Sequence, residues 1–181
     1  NLRPIRSLKG IPTPLDPRKA PDLDILLVRE NTEGEYVGIG GRGHQGTPNE
    51  LATQTTVFTR RGVDRIVRYA FEQARSRSGR LASATKSNAL QYTSVMWDEV
   101  VEEVAREYPD VVVTSYLIDA LAARFISSPE TLDVVVASNL FGDILADIGA
   151  ALMGSMGMAA SANLNPAGTS PSLFEPVHGS A

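Results

Sequence analysis

Two aspartates four residues apart carry the most specific chemical signal in the sequence. Asp143 and Asp147 lie in the segment 139–147 (NLFGDILAD), directly after an apolar run typical of a buried strand. On a helix this spacing puts both carboxylates on one face, where they repel unless a cation or the helix dipole offsets them. Hard cations such as Mg²⁺ and Mn²⁺ prefer carboxylate oxygens, so the pair is a candidate metal site. Spacing alone favours two solvated acids at a helix N-terminus, whereas the strand-to-helix position favours ligand binding.

Two arginines and two proton carriers complete the set of chemical candidates. Arg29 ends an apolar run and Arg3 precedes it, and each guanidinium offers a planar fork that matches a carboxylate. Lys86 follows another short apolar run, and both Lys86 and Tyr36 are candidates for proton transfer. Taken singly, an arginine of this kind more often forms a surface ion pair, such a lysine is more often solvated, and such a tyrosine more often lies in the core.

Several other kinds of site are not predicted. His44 and His178 have no metal-ligand spacing, and no Gly-x-Gly-x-x-Gly or phosphate-loop pattern follows a strand. The net charge of -4 and the lack of a basic run argue against a nucleic-acid partner. No apolar run approaches the roughly 20 residues of a membrane span, so we expect no membrane partner. The absence of cysteine is compatible with a cytoplasmic protein.

The elements that must position these residues are predicted from hydrophobic periodicity. Five prolines in residues 1–21 predict an irregular connector, and the glycine-rich stretch 34–59 predicts an extended hairpin or arm. Further on, short apolar strands alternate with amphipathic helices, which predicts an α/β layer structure with largely parallel pairing. The predicted strands are 24–29, 81–84, 111–113 and 133–137, and the helical stripes run over 63–74, 97–108, 118–126 and from about Gly142.

Five motifs, in this order along the whole chain, resemble those of the β-decarboxylating dehydrogenases, the family of isocitrate, 3-isopropylmalate and tartrate/D-malate dehydrogenases. Finding all five in register is far more specific than any one of them. Residues 39–42 (IGGR) and 161–166 (SANLNP) look most like the tartrate/D-malate branch. The five motifs are 1–4 (NLRP), 28–36 (VRENTEGEY), 85–88 (TKSN), 138–147 (SNLFGDILAD) and 174–181 (FEPVHGSA).

The resemblance implies a two-domain α/β fold in a chain about twice this long, so we expect the 181 residues to be a fragment. Residues 1–153 would be most of the smaller domain, which forms a homodimer, and 154–181 would begin the return into the large cofactor-binding domain. The isolated chain is expected not to turn over substrate, which an NAD-reduction assay would test.

The resemblance also implies a role for each candidate residue. Arg3 and Arg29 would bind the carboxylates of a small 2-hydroxy acid. Asp143 and Asp147 would hold Mg²⁺ or Mn²⁺ together with Asp119 of the partner subunit, so that the dimer shares its active sites.

Proton transfer and cofactor binding are implied in the same way. Lys86, also from the partner, would help remove the hydroxyl proton, and Tyr36 would return a proton after loss of carbon dioxide. The residues implied in binding NAD are Asn88, Glu175, His178, Gly179, Ser180 and Ala181.

Other readings of the sequence stay open. The substrate is expected to be tartrate or D-malate, but 3-isopropylmalate and isocitrate are the alternatives within the family. A non-catalytic regulatory subunit of the same fold would keep the scaffold and lose an acid, base or metal ligand. A purely structural α/β module would leave the co-occurrence of the motifs unexplained.

Overall fold

The computed structural model describes residues 1–15 and 23–177. It has a seven-stranded sheet with helices on both faces and a two-stranded hairpin, which confirms the predicted α/β class. The strands of the main sheet are β1 (Leu2–Arg6), β2 (Asp24–Arg29), β5 (Arg80–Thr85), β6 (Val112–Leu117), β7 (Val134–Ala137), β8 (Ala160–Asn163) and β9 (Leu173–Pro176). The hairpin consists of β3 (Gly34–Gly43) and β4 (Leu51–Val57), and the helices are α1 (Arg60–Arg75), α2 (Thr93–Ala105), α3 (Ile118–Ser127) and α4 (Asn139–Leu152).

The main sheet is parallel in one half and antiparallel in the other. Its order is β6-β5-β7-β2-β1-β8-β9, in which the first four strands run parallel and each later strand is antiparallel to its neighbour. The expectation of largely parallel pairing is therefore wrong for β1, β8 and β9. Strands β8 (ASAN) and β9 (LFEP) are four residues each, and neither alternates apolar and polar side chains over enough residues to give the periodic signal of a strand.

Strand β1 corrects the expectation that the chain opens with an irregular connector. It pairs with β2 along its whole length, from Leu2 opposite Val28 to Arg6 opposite Asp24. Pro4 faces Leu26, whose N–H donates to the carbonyl of Asp133 on the side of β2 away from β1. The Pro4–Leu26 pair is therefore one that exchanges no backbone hydrogen bonds, so the missing N–H of proline is tolerated there. Residues 16–21 of the predicted connector, together with residue 22, lie outside the described residues.

The core lies on both faces of the sheet. Alternate residues of β7 point in opposite directions: Val134 and Val136 pack with α1 and α2, whereas Val135 packs with α3 and α4. A parallel strand covered on both faces is apolar throughout, which explains why β7 reads as a continuous apolar run. Trp97 of α2 is fully buried, and its ring N–H donates to Ser83 at 3.0 Å. In the described ranges, no helix has the length and apolar character needed to cross a membrane.

The topology gathers the candidate residues at one edge of the sheet. The carboxyl ends of β2, β5, β6 and β7 share this edge because the four strands are parallel. The first residues of β1 lie at the same edge because β1 runs in the opposite direction to β2. In α/β sheets such an edge is where ligands bind.

A buried aspartate just before β7 gives a test of this packing. Asp133 accepts hydrogen bonds from the Arg77 Nε at 2.6 Å, the Ser78 N–H at 2.9 Å and the Ser78 hydroxyl. Burial by itself raises the pKa of Asp133, but the bonds from Ser78 and Arg77 outweigh it and hold this pKa below its ordinary value.

Asp133→Asn should therefore lower the free energy of unfolding of the full-length protein by about 1–3 kcal/mol at pH 7. Since the folded pKa is depressed, this contribution is complete above the unfolded pKa of about 4 and is lost as the pH falls through the folded value. Urea denaturation followed by circular dichroism should show the difference from wild type shrinking as the pH falls from about 7 toward 3. Asp24→Asn, which removes a half-exposed partner of the same Arg77, should cost at most about 1 kcal/mol. If the difference in unfolding free energy between wild type and Asp133→Asn did not change with pH, the lowered pKa of Asp133 would be contradicted.

Candidate active site

Arg29 is the central cation of the site, buried to 8% exposure at the end of β2. Its Nε and Nη2 donate to the side-chain oxygen of Asn139, at 3.1 and 2.7 Å, and its Nη1 donates to Asp143 Oδ1 at 2.5 Å. Both acceptors belong to the first turns of α4, which begins at Asn139, three residues earlier than expected. The guanidinium is thus held between a strand end and a helix start.

Arg3 is a second buried cation beside Arg29. It faces Leu27 across the β1–β2 pair, so Arg3 and Arg29 are diagonal neighbours on the face covered by α4. Arg3 Nη1 donates to the same oxygen of Asp143, at 3.2 Å. Burial lowers the pKa of Arg3, as does the charge of Arg29, but an arginine keeps its proton at neutral pH. One carboxylate oxygen is therefore shared by two positive charges.

Tyr36 contacts the other oxygen of Asp143. The residue lies on β3, and its hydroxyl donates to Asp143 Oδ2 at 3.1 Å. The guanidinium carbon of Arg29 lies 5.8 Å from the centre of the ring. Loss of solvent raises the pKa of Tyr36, as do the hydrogen bond to Asp143 and the charge of that residue. The phenol therefore holds its proton at neutral pH and is able to donate it.

Three glutamates after β2 attach the site to neighbouring helices. Glu35 accepts from the Leu140 N–H at 3.2 Å, which satisfies an otherwise unpaired donor at the start of α4. Glu33 accepts from the N–H and hydroxyl of Thr59, the residue that caps α1. Glu30 accepts from Arg65 of α1 at 2.8 Å. No role for these carboxylates or for Asn139 was predicted from the sequence, in which the only signal is that they cluster after strand ends.

Gly142 makes room for Arg29. A side-chain Cβ at this position would lie 2.6 Å from Arg29 Cγ and 2.9 Å from Arg29 Cβ, closer than carbon atoms pack. The glycine inside the 139–147 segment therefore lets α4 approach the arginine stem, and it is not there for backbone flexibility.

Asp147 lies one turn beyond Asp143 and is exposed. Both carboxylates contribute to the electrostatic environment of Arg3, which places them on the same side of α4. In the part of the chain that the structure describes, Asp147 has no ion-pair or hydrogen-bond partner, and no three acidic or histidine side chains gather into a metal site. The two aspartates offer oxygen donors that suit Mg²⁺ or Mn²⁺, and further ligands would have to come from elsewhere.

Lys86 and Asp119 form a second, separate group. Lys86 follows β5 and Asp119 lies in the first turn of α3, with 2.6 Å between Nζ and Oδ1. The hydrogen bond from Lys86 holds the pKa of Asp119 below its ordinary value. Strand β7 lies between β5 and β2, so the backbone at Lys86 is roughly 10 Å from that of Arg29. No hydrogen bond or ion pair among the described residues joins this pair to Asp143.

The residues expected to contact NAD are not brought together by the described structure. Asn88 is exposed in the turn after β5, and Glu175 is exposed in β9 at the opposite end of the sheet order from β5 and β6. His178, Gly179, Ser180 and Ala181 lie outside the described residues.

The sequence of the whole chain settles the family. Residues 1–181 match the model of the isocitrate/isopropylmalate dehydrogenase family. The chain belongs to this family. The resemblance seen in the five motifs is thereby confirmed.

Named relatives of this family are similar over the full chain. The D-malate dehydrogenase (decarboxylating) of Escherichia coli K12 is 58% identical over 182 residues, and a probable tartrate dehydrogenase/decarboxylase of Bacillus subtilis is 52% identical over 181. The 3-isopropylmalate dehydrogenase of Thermobifida fusca is 52% identical over 182. These matches cover 100% of this chain and 50%, 50% and 51% of the relatives. The chain spans about half the length of the curated relatives it matches.

A solved structure of the family has the same fold. The isocitrate dehydrogenase of Methylococcus capsulatus superposes with a TM-score of 0.86 at 39% identity, over 98% of this chain and 50% of that one. The expected isocitrate/isopropylmalate dehydrogenase-like fold is confirmed.

The close approach of α4 to Arg29 predicts the effect of Gly142→Ala. Glycine to alanine within a helix ordinarily adds about 0.5–1 kcal/mol of stability, but here the new methyl group collides with the buried arginine stem. We expect a net loss of about 1–2 kcal/mol in the free energy of unfolding, because overpacking costs about 1–3 kcal/mol. Thermal and urea unfolding of the full-length protein measure it, and Ala151→Gly on the exposed face of α4 gives the helix-propensity effect alone. A stabilised Gly142→Ala protein would show that the contact is not tight.

Proposed function

We propose that the full-length protein oxidises and decarboxylates a small 2-hydroxy acid, D-malate or tartrate, using NAD and Mg²⁺ or Mn²⁺. The observation that carries the proposal is the convergence of two buried guanidiniums and a protonated tyrosine on one carboxylate, that of Asp143. The names of two relatives, a D-malate dehydrogenase and a probable tartrate dehydrogenase/decarboxylase that are 58% and 52% identical over the full chain, support it. The proposal includes a cytoplasmic location, with which the cysteine-free composition is compatible.

The charges of the site suit a dicarboxylate. Arg3 and Arg29 carry two positive charges, and Asp143 and Asp147 carry two negative ones, so these four side chains are balanced. A divalent cation on the aspartates would leave an excess of two positive charges. A dicarboxylate substrate such as malate or tartrate brings two negative charges, and buried guanidiniums bind carboxylates strongly through paired hydrogen bonds.

The metal ligands in this proposal are Asp143, Asp147 and Asp119 of the partner subunit. The cation would supply a Lewis acid for the oxygen on the substrate's C2, and NAD would supply an acceptor for the hydride from that carbon. Asp119 fits the role of a ligand offered to a second chain because it is exposed and does not reach Asp143 within its own chain.

Lys86 and Tyr36 move the protons. Lys86 of the partner subunit assists removal of the substrate's hydroxyl proton, and its position beside Asp119 means that both side chains project from the same part of the surface. Tyr36 holds a proton at neutral pH and delivers it to the carbon that loses the carboxylate. Arg3 and Arg29 hold the substrate carboxylates during both steps.

The remaining assignments belong to the cofactor and to the domains. We propose that Asn88, Glu175 and the segment 178–181 contribute to the NAD site. Residues 1–153 are proposed to form most of the smaller, dimer-forming domain, with 154–181 starting the return into the larger one.

A panel of substrates tests the proposed reaction. The full-length protein, with Mn²⁺ or Mg²⁺, should reduce NAD with D-malate or tartrate and lose this activity when a chelator removes the metal. Activity only with 3-isopropylmalate or isocitrate would support the proposed chemistry and contradict the proposed substrate. A folded dimer inactive with all four acids would favour the regulatory-subunit alternative. The 181-residue chain alone should be inactive, because it spans only about half the length of the relatives it matches.

Hybrid dimers test the sharing of active sites. Tyr36→Phe and Lys86→Met proteins should each be nearly inactive when pure. In a hybrid of the two, one site receives both defects and the other receives neither, provided that Lys86 acts in the partner's site. Random mixing should then restore about one quarter of wild-type activity in a symmetric dimer. No recovery in verified hybrids would show that Lys86 acts within its own chain.

A further inference from the structure

We propose that Asn139 is a positioning residue, whose neutral side-chain oxygen orients the Arg29 guanidinium and leaves its charge available to a substrate carboxylate. The inference rests on the proposed function in one respect, namely that Arg29 binds a carboxylate. It adds a residue with no assigned role and a reason why that residue is an amide.

The orientation of the Asn139 amide follows from its two neighbours. Its Nδ2 donates to the Glu33 carbonyl at 2.9 Å, so its oxygen must point the other way, toward Arg29. The residue is only 4% exposed and has little freedom to change rotamer. Because Glu33 is in turn tied to Thr59 at the cap of α1, the oxygen that faces Arg29 is held by two helices.

The hydrogen bonds to Asn139 leave one edge of the guanidinium open. A guanidinium has five N–H groups in a plane. The edge formed by Nε and Nη2 is taken by the single oxygen of Asn139, and one N–H of Nη1 is taken by Asp143. In the described part of the chain, the remaining N–H on Nη1 and on Nη2 have no partner. The Nη1–Nη2 edge, which Asn139 does not occupy, carries the parallel N–H pair that matches the two oxygens of a carboxylate, and Asp143 occupies a single N–H of Nη1.

The neutrality of Asn139 matters as much as its geometry. An aspartate at this position would accept the same two hydrogen bonds, but its charge would lie about 3 Å from a buried cation and would offset it. Asp143 already shares its charge between Arg29 and Arg3. The neutral amide of Asn139 therefore fixes the plane of the Arg29 guanidinium. It adds no further negative charge to a site that must bind an anionic substrate.

Two variants of the full-length protein separate geometry from charge. Asn139→Asp keeps the shape and the acceptor for Arg29, adds a charge and gives up the hydrogen bond to the Glu33 carbonyl, whereas Asn139→Ala removes the acceptor as well as that hydrogen bond. Gln73→Glu, a matched amide-to-carboxylate change on α1, is the control and should behave as wild type. Steady-state kinetics would give kcat and KM for D-malate and for NAD, and nitrogen-15 NMR would report the exchange of the Arg29 Nε–H with water. The spectrum of Arg29→Lys identifies that signal, because lysine lacks the group.

We expect the KM for D-malate to rise at least about tenfold in both variants, with the KM for NAD and kcat within about threefold of wild type. The Arg29 Nε–H should exchange slowly in wild type and in Asn139→Asp, and quickly in Asn139→Ala. Should the alanine variant not fold, the isosteric aspartate variant still tests the charge argument.

Two results would overturn the inference. An Asn139→Asp protein with the wild-type KM for D-malate would disprove the argument from charge, and unchanged Nε–H exchange in Asn139→Ala would disprove the positioning role. A wild-type protein that is inactive with every acid overturns the proposed function. The role of Asn139 is then decided by the Nε–H exchange alone, which does not depend on substrate.

Discussion

A guanidinium buried in a protein needs acceptors for its N–H groups, and Arg29 meets this need through α4. That requirement links much of the local structure. Asn139 and Asp143 must both face the end of β2, so α4 has to start directly after β7, and Gly142 must lack a side chain so that the helix axis comes close enough. The hydrogen bond from Asn139 to Glu33 then fixes the chain that follows β2. Tyr36 reaches Asp143 because this segment is held in place.

The sheet topology places this cluster where a ligand has access to it. Parallel strands bring their carboxyl ends to one edge, and helices on both faces leave that edge as the open side. Strand β1 adds Arg3 by entering the same edge in the opposite direction. Two cations side by side would repel, and the shared oxygen of Asp143 offsets part of that repulsion.

The separation of Lys86 and Asp119 from this cluster has a structural cause. They follow β5 and β6, and β7 stands between those strands and β2. Within one chain the pair neutralises itself through a 2.6 Å contact. The shared site is what the family resemblance implies, and the half-buried Lys86 and exposed Asp119 lie together at the same edge of the sheet without reaching Asp143 of their own chain.

The sequence alone determined the elements with strong periodicity and the residue types that could do chemistry. Buried strands such as β2 and β7 and amphipathic helices such as α1 were predictable because their patterns of apolar residues repeat locally. The α/β class followed from their alternation, and the five motifs identified the family. Strand β1 was missed because five prolines in residues 1–21 suggested a connector. Only the hydrogen bond from the Leu26 N–H to the Asp133 carbonyl shows why Pro4, the one proline within β1, is tolerated there.

Only the tertiary structure decided which of these residues meet. Arg3, Arg29, Tyr36 and Asp143 are spread over 141 residues, and their contacts depend on strand order and on the start of α4. The roles of Asn139 and Gly142 in holding Arg29 are likewise invisible in a linear pattern, because an asparagine and a glycine at the start of a helix have common local uses. Local periodicity specifies elements, whereas hydrogen bonds between distant segments specify the site, and the latter exist only once the sheet has brought those segments together.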